Sequence, residues 1–344
     1  MTTLVCGGAG FLGSHTVLGL LDRGHVPVVV DDLSTGSWAS VPAQAAFVEA
    51  DVGDVEAVVS ICREYGVRSI IHFASMADIR ASVAAPTAAF RSIVDGTRAV
   101  IDAAVKAGVR EIVFASSAAV YGETDQTRIR ETAPLQPCSP LGAAMMAAEW
   151  MLHQSAQAHG VRYVVVRGFN ASGADPHMRS GPCSAAGGLI RAAVRAALGL
   201  SDGLKIFGMD FDTHDGTAVR DYVHIADLAD VHVSALQYLH DGGRNLTVNC
   251  GYGREVSVMD VVATVERVCG ARIPYIRQPY SAADPARLVA DTTDLRRYLS
   301  WSPRHDDLEL VIAHAVEWER MTAFLPIRST SNHPSFRTGL SLHT

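Results

Sequence analysis

A strand, a glycine-rich turn, a helix and a second strand closing on an acid occupy the first 36 residues, and no other stretch constrains the fold as much. Thr3-Leu4-Val5-Cys6 predicts a short buried strand, and Gly7-Gly8-Ala9-Gly10-Phe11-Leu12-Gly13 follows at once. An amphipathic stretch over residues 11–23 stops at Gly24, and the apolar, β-branched residues 26–30 lead into Asp31-Asp32. This order predicts a βαβ dinucleotide site. Gly7 permits the tight turn, Gly10 lets a pyrophosphate approach the backbone, and Gly13 lets the helix pack closely. The helix start offers free N–H groups to phosphates. Asp31, 18 residues after Gly13, can accept bonds from both hydroxyls of an unphosphorylated ribose. It would repel a 2′-phosphate, and no arginine follows closely to reverse that preference, so the expected cofactor is NAD.

The rest of the chain continues the alternation. Strands are expected at residues 46–52, 69–74, 111–117 and 162–170, with helices at 55–65, 86–107 and 141–157. His72 reads as a core histidine. Asp51 could meet an adenine amino group or cap the helix that begins near Asp54, and spacing alone leaves both open. Continuous apolar strands between helices predict an α/β fold with a Rossmann-like, doubly wound parallel sheet. Residues 171–186 read as a turn-rich loop. Residues 189–198, 204–207, 219–232, 257–269 and 308–321 are expected to build a smaller substrate-binding cap. The expected division is a mainly NAD-binding domain over 1–170, to which later segments return, a cap mainly over 171–326, and a disordered tail over 327–344.

A 344-residue chain that is 48% hydrophobic and 19% charged supports a large core. Its net charge of −7 argues against a nucleic-acid partner, and the absence of basic runs argues against an anionic membrane surface. No apolar stretch is long enough to span a bilayer, and the first strand begins at the start of the sequence, so a cytoplasmic protein is expected. Cys6, Cys62, Cys138, Cys183, Cys250 and Cys269 are scattered without a CxxC pair, which predicts reduced thiols and no metal site.

Four motifs carry a family resemblance over about residues 1–322. They are the glycine turn through Ser14-His15, Phe114-Ala115-Ser116-Ser117-Ala118-Ala119-Val120-Tyr121-Gly122, Phe169-Asn170-Ala171-Ser172-Gly173-Ala174, and Asp215-Gly216-Thr217-Ala218-Val219-Arg220-Asp221-Tyr222-Val223-His224. The chain resembles the UDP-glucose 4-epimerases, extended short-chain dehydrogenase/reductases. The resemblance implies cofactor contacts at Phe11, Leu12, Asp31, Asp51, Val52, Phe73 and Ala74. It implies that Ser117 hydrogen-bonds a sugar hydroxyl, and that Asn170, Arg220 and Tyr222 hold the nucleotide diphosphate of a UDP-hexose or modified nucleotide sugar. It also implies a homodimer through a four-helix bundle built from residues 86–107 and 141–157.

The chain departs from the family at its chemistry. Where Pro-Tyr-Gly-x-x-Lys is expected, it reads Pro140-Leu141-Gly142-Ala143-Ala144-Met145. The family tyrosine takes the O4 proton while hydride leaves C4, and the lysine lowers its pKa; leucine and methionine cannot exchange a proton. Further departures are Ser281 for a diphosphate-gripping arginine, Gly168 for a tyrosine, Gly188 for a group near uridine and Ala77 for a lysine. Two readings follow. One is an epimerase with a different proton carrier, drawn from Ser117, Cys138, Tyr121 and Asp78. The other is a silent NAD-binding relative acting as a scaffold or as partner of an active paralogue. A dehydratase fits less well, because Ala118-Ala119 stands where its acid pair would be.

Overall fold

The computed structural model describes residues 1–73, 78–183, 188–279 and 284–323. Ala74, Ala77, Ser281 and the tail expected over 327–344 lie outside the described residues. Seven strands form one sheet: β1 Thr2–Cys6, β2 Val26–Asp31, β3 Ala46–Glu49, β4 Ser69–His72, β5 Glu111–Ser117, β6 Arg162–Gly168 and β7 Leu246–Cys250. Their order is β7-β6-β5-β4-β1-β2-β3, and every pairing is parallel. Leu4 sits opposite Val28 on one side and Ile70 on the other, so the central strands bury both faces. The order reverses between β1 and β4, which opens the crevice in which such sheets bind ligands. Phe73 N–H donates to Cys6 C=O at 2.8 Å across the floor of that crevice.

The helices are α1 Phe11–Asp22, α2 Val55–Glu64, α3 Ile79–Ala84, α4 Pro86–Phe90, α5 Gly96–Ala107, α6 Pro140–His159, α7 Gly188–Ala197, α8 Ile225–His240, α9 Val258–Cys269, α10 Thr293–Leu299 and α11 Leu308–Ala323. The expected helix over 86–107 is interrupted by a π-helical turn, Arg91–Asp95. The expected strand over 46–52 ends at Glu49, because Asp51 and Gly53 already form a side-chain-closed turn. Strand β7 and helices α3 and α10 go beyond the elements expected from sequence.

Two apolar cores result. The larger lies around the sheet, and the smaller joins Ile190, Val194, Ile206, Val261, Val265, Ile312 and Val316 from α7, α9, α11 and strand Leu204–Phe207. Residues 219–232, expected in the cap, divide between the two. Val219–Arg220 and Tyr222–His224 are short strands, and α8 then packs into the larger core through Leu228, Val231, Leu236 and Leu239. An apolar helical stripe reports burial but not which layer receives it.

The loop expected over 171–186 is held firmly where it is described. Asp175 accepts from the N–H groups of His177 and Arg179 and from the Arg179 guanidinium, which also grips Asp22. Ser180 Oγ meets Ser14 Oγ at 2.8 Å, which ties the loop to α1. All six cysteines are free. Among the described residues, no helix is long and apolar enough to cross a membrane.

Candidate active site

The cofactor end is built from backbone. Gly7 has φ of 79°, a conformation that favours glycine. A Cβ on Gly13 would lie 2.1 Å from Gly7 C=O, so this glycine lets α1 pack against the turn itself. Gly10 stands at the α1 N-cap, and no side chain caps the helix or places an acid in its first turn. Its N–H groups are therefore available to an anion. Phe11 and Leu12, half-buried, begin that helix.

Asp31 closes β2 and is buried. Oδ2 accepts from Ala9 N–H at 3.0 Å and Oδ1 from Leu33 N–H at 2.9 Å, and burial pushes its carboxyl up from the usual range. Each oxygen keeps acceptor capacity for a ribose hydroxyl. A Cβ on Gly36 would lie 3.0 Å from Asp31 Oδ1, so the space over the carboxylate depends on this glycine as well. Turn, uncapped helix and carboxylate together fit a dinucleotide with an unmodified ribose.

The two readings of Asp51 separate here. Asp54, not Asp51, caps α2 by accepting from Ala57 N–H at 3.1 Å. Asp51 is exposed beyond the end of β3 and closes a turn onto Gly53 N–H, with Val52 half-buried beside it. Phe73 packs its ring against His232 at 4.9 Å. His72 is a core residue: burial lowers its pKa to about 4, and Nε2 lies 3.3 Å from Thr97 Oγ1.

The positions expected to carry the chemistry lie where β5 meets α6. Ser117 ends β5 and accepts from Ala119 N–H at 3.2 Å, which caps a single 3₁₀ turn. A Cβ on Gly142 would fall 2.2 Å from Ala119 C=O, so the first turn of α6 sits directly on the turn that Ser117 caps. Ser139 fixes the start of α6 by accepting from Gly142 N–H at 3.1 Å. Leu141 and Met145 face inward one turn apart, only 3% and 4% exposed, in the larger core.

The four candidate proton carriers fare differently. Tyr121 is 1% exposed. Its hydroxyl donates to Asn249 Oδ1 at 2.6 Å and accepts from Arg167 at 2.8 Å, and burial pushes its pKa up to about 12. It belongs to a network with the buried Arg167–Glu149 pair, which gives Tyr121 a structural role in the fold. Asp78 is exposed and caps α3 through Ala81 N–H at 2.9 Å, a helix-terminal role. Cys138 is exposed as a residue, but partial desolvation of its thiol, with Glu123 and Asp284 nearby, pushes the thiol up and disfavours a thiolate. Ser117 is half-buried, with its own O–H left to donate.

The expected substrate residues come from adjoining strands. Asn170 begins strand Asn170–Ser172 beside Tyr222 and exposes its side chain. Tyr222 packs in the smaller core, and burial raises its phenol far above the ordinary value. Arg220 is buried and already ion-paired with Asp284, while also donating to Val219 C=O at 2.8 Å. Sequence reasoning missed a second cation, on the helix that follows β4: the Arg80 guanidinium lies 3.7 Å over the centroid of the Phe207 ring. It also missed a cluster of His214, Asp215 and Asp260 with metal-ligand spacing. Both carboxylates there are engaged with Ser257 at the start of α9.

Comparison with known proteins agrees with this geometry. The model of the NAD dependent epimerase/dehydratase family matches residues 3–251. A UDP-glucose 4-epimerase of Azospirillum brasilense is 42% identical over 318 residues, covering 92% of this chain and 91% of that one. The Brucella ovis UDP-glucose 4-epimerase, solved in complex with NAD, is 38% identical with a TM-score of 0.88, covering 92% of this chain and 97% of its own. The enzyme from Stenotrophomonas maltophila, solved with NAD and formylated UDP-arabinopyranose, is 33% identical with a TM-score of 0.89, covering 94% of this chain and 99% of its own. On this evidence, joined to the glycine turn and the seven-stranded sheet, the chain belongs to the NAD dependent epimerase/dehydratase family.

Proposed function

We propose that this protein is an NAD-dependent nucleotide-sugar 4-epimerase whose proton carrier is not the family tyrosine. The observation that carries this reading is the likeness to UDP-glucose 4-epimerases through both cores, over 92% of the chain, beside an intact dinucleotide cradle. When bound, NAD supplies reversible hydride acceptance. Gly7, Gly10, Gly13 and the α1 N-terminus hold its diphosphate, and Asp31 holds its adenosine ribose, with Phe11, Leu12, Asp51, Val52 and Phe73 around it. Asn170, Arg220 and Tyr222 border the nucleotide sugar. Arg220 can grip phosphate only by exchanging its bond to Asp284.

Ser117 Oγ is the group that meets the sugar O4. It takes the O4 proton while passing its own to water, and reverses this when hydride returns to C4. A serine hydroxyl is a poorer base than a lysine-assisted phenolate, so turnover is slow. The test is conversion of UDP-galactose to UDP-glucose. The native chain is expected to turn over, Ser117→Ala to abolish turnover, and L141Y/M145K to raise it about 10²- to 10⁴-fold.

A second reading, a silent NAD-binding relative, draws on the apolar burial of Leu141 and Met145. It holds if native chain and double variant both bind NAD and neither converts any sugar. The dimer expected from sequence is supported by apolar exposure on the same helices, with Trp150 on α6 73% exposed and Phe90 on α4 41% exposed. Trp150→Glu is expected to shift a dimer to monomer in light scattering; an unchanged mass would set this interface aside.

A further inference from the structure

We infer that Arg80 is an anion-binding, specificity-determining residue of the cleft, resting on a cation–π contact with Phe207 until a ligand draws it away. This inference rests on the nucleotide-sugar reading above. Arg80 belongs to α3, which begins just past the crevice end of β4. Ser82, on the same helix, accepts from Leu141 N–H at 3.2 Å, so α3 is tied to the first turn of α6 where the chemistry is expected. Phe207 ends strand Leu204–Phe207, whose apolar residues Leu204 and Ile206 belong to the smaller core. The Arg80–Phe207 contact thus joins α3, which follows the crevice end of β4, to a strand of the smaller core.

The charge state of this contact points to a ligand. Among the described residues no carboxylate pairs with Arg80, whereas Arg220 is taken by Asp284. Arg80 is exposed and Phe207 half-buried, so the contact is made in water and is weak. A guanidinium gives up such a contact readily for two charge-assisted bonds to a phosphate or carboxylate, whose geometry its planar fork matches. The same exchange uncovers the Phe207 ring. The anion has two sources, the diphosphate of the nucleotide or a carboxylate on the sugar, and their shared chemistry is a pair of anionic oxygens.

The test compares the native chain with Arg80→Ala by calorimetric titration with UDP-glucose and with UDP-glucuronate. Unchanged NAD affinity serves as the measure of intact folding. Affinity for at least one ligand is expected to fall about tenfold to a hundredfold. An equal fall for both assigns Arg80 to the diphosphate, and a fall for UDP-glucuronate alone assigns it to a sugar carboxylate. If the native chain binds both ligands and Arg80→Ala binds them equally well, the inference is overturned. If the native chain binds NAD but neither UDP sugar, the nucleotide-sugar reading itself fails and the inference falls with it.

Discussion

The two ends of the crevice are made of different material. At the cofactor end, the working parts are backbone N–H groups, missing Cβ atoms and one buried carboxylate. At the chemistry end, the positions expected to move a proton are a leucine and a methionine buried in the core, with a half-buried serine beside them. Both ends rest on equally close packing: Gly13 against Gly7 at one, Gly142 against Ala119 at the other. Close backbone packing is therefore common to both ends, and the difference lies in what the side chains there can do. Positioning and reactivity are separable properties of a site, and the fold can hold the first while the second changes.

Acid offers the largest perturbation of the cofactor end. Burial lowers the pKa of His15, on α1, of His72 and of His232 to about 4. The unfolded chain binds these protons near 6.5, so between about 4 and 6.5 it holds more protons than the folded chain. Stability is complete above 6.5 and falls as pH drops through that window. Thermal melts from pH 7.5 to 4.5 check this, and a melting temperature that holds or rises on acidification would contradict it.

The next effect joins the two ends through their shared support. Arg167 on β6 pairs with Glu149 on α6, both almost fully buried, and Glu149 also accepts from Ser116 beside Ser117. Arg167→Met would strand the Glu149 charge, at a cost of about 3–5 kcal/mol in denaturant unfolding. A loss below 1 kcal/mol would show that the pair does not hold the chemistry end in place. Gly13→Ala should cost about 1–3 kcal/mol by overpacking, because the new methyl meets a backbone carbonyl that cannot swing aside. NAD affinity should fall with it in titration, since the turn must shift. Tyr121→Phe should cost about 1 kcal/mol for its lost hydrogen bonds and leave turnover unchanged. Turnover lost in a variant that is still folded would make Tyr121, rather than Ser117 alone, a part of the proton path.

What could be read from the sequence follows the same division. Gly7, Gly13 and Asp31 were legible because a turn that needs glycine and an acid at fixed spacing leaves a local trace. The doubly wound sheet was legible from alternation. Strand β7 was missed because Leu246–Cys250 is short and carries a polar Asn249, which accepts from Tyr121. Helix α8 was assigned to the cap because its apolar stripe cannot name the layer that buries it. Tyr121 was a candidate because a phenol near the end of β5 is visible, while its ties to Asn249 and Arg167 come from distant segments. Arg80 and Phe207 meet only through the tertiary fold, so nothing local announced them.

The most direct measurement is UDP-galactose conversion by the native chain, Ser117→Ala and L141Y/M145K, with NAD bound to each. The expected result is slow native turnover, none with Ser117→Ala, and a rise of about 10²- to 10⁴-fold in the double variant. Absence of turnover in all three, with NAD bound, would contradict the claim that this crevice keeps an epimerase's scaffold while changing its proton carrier.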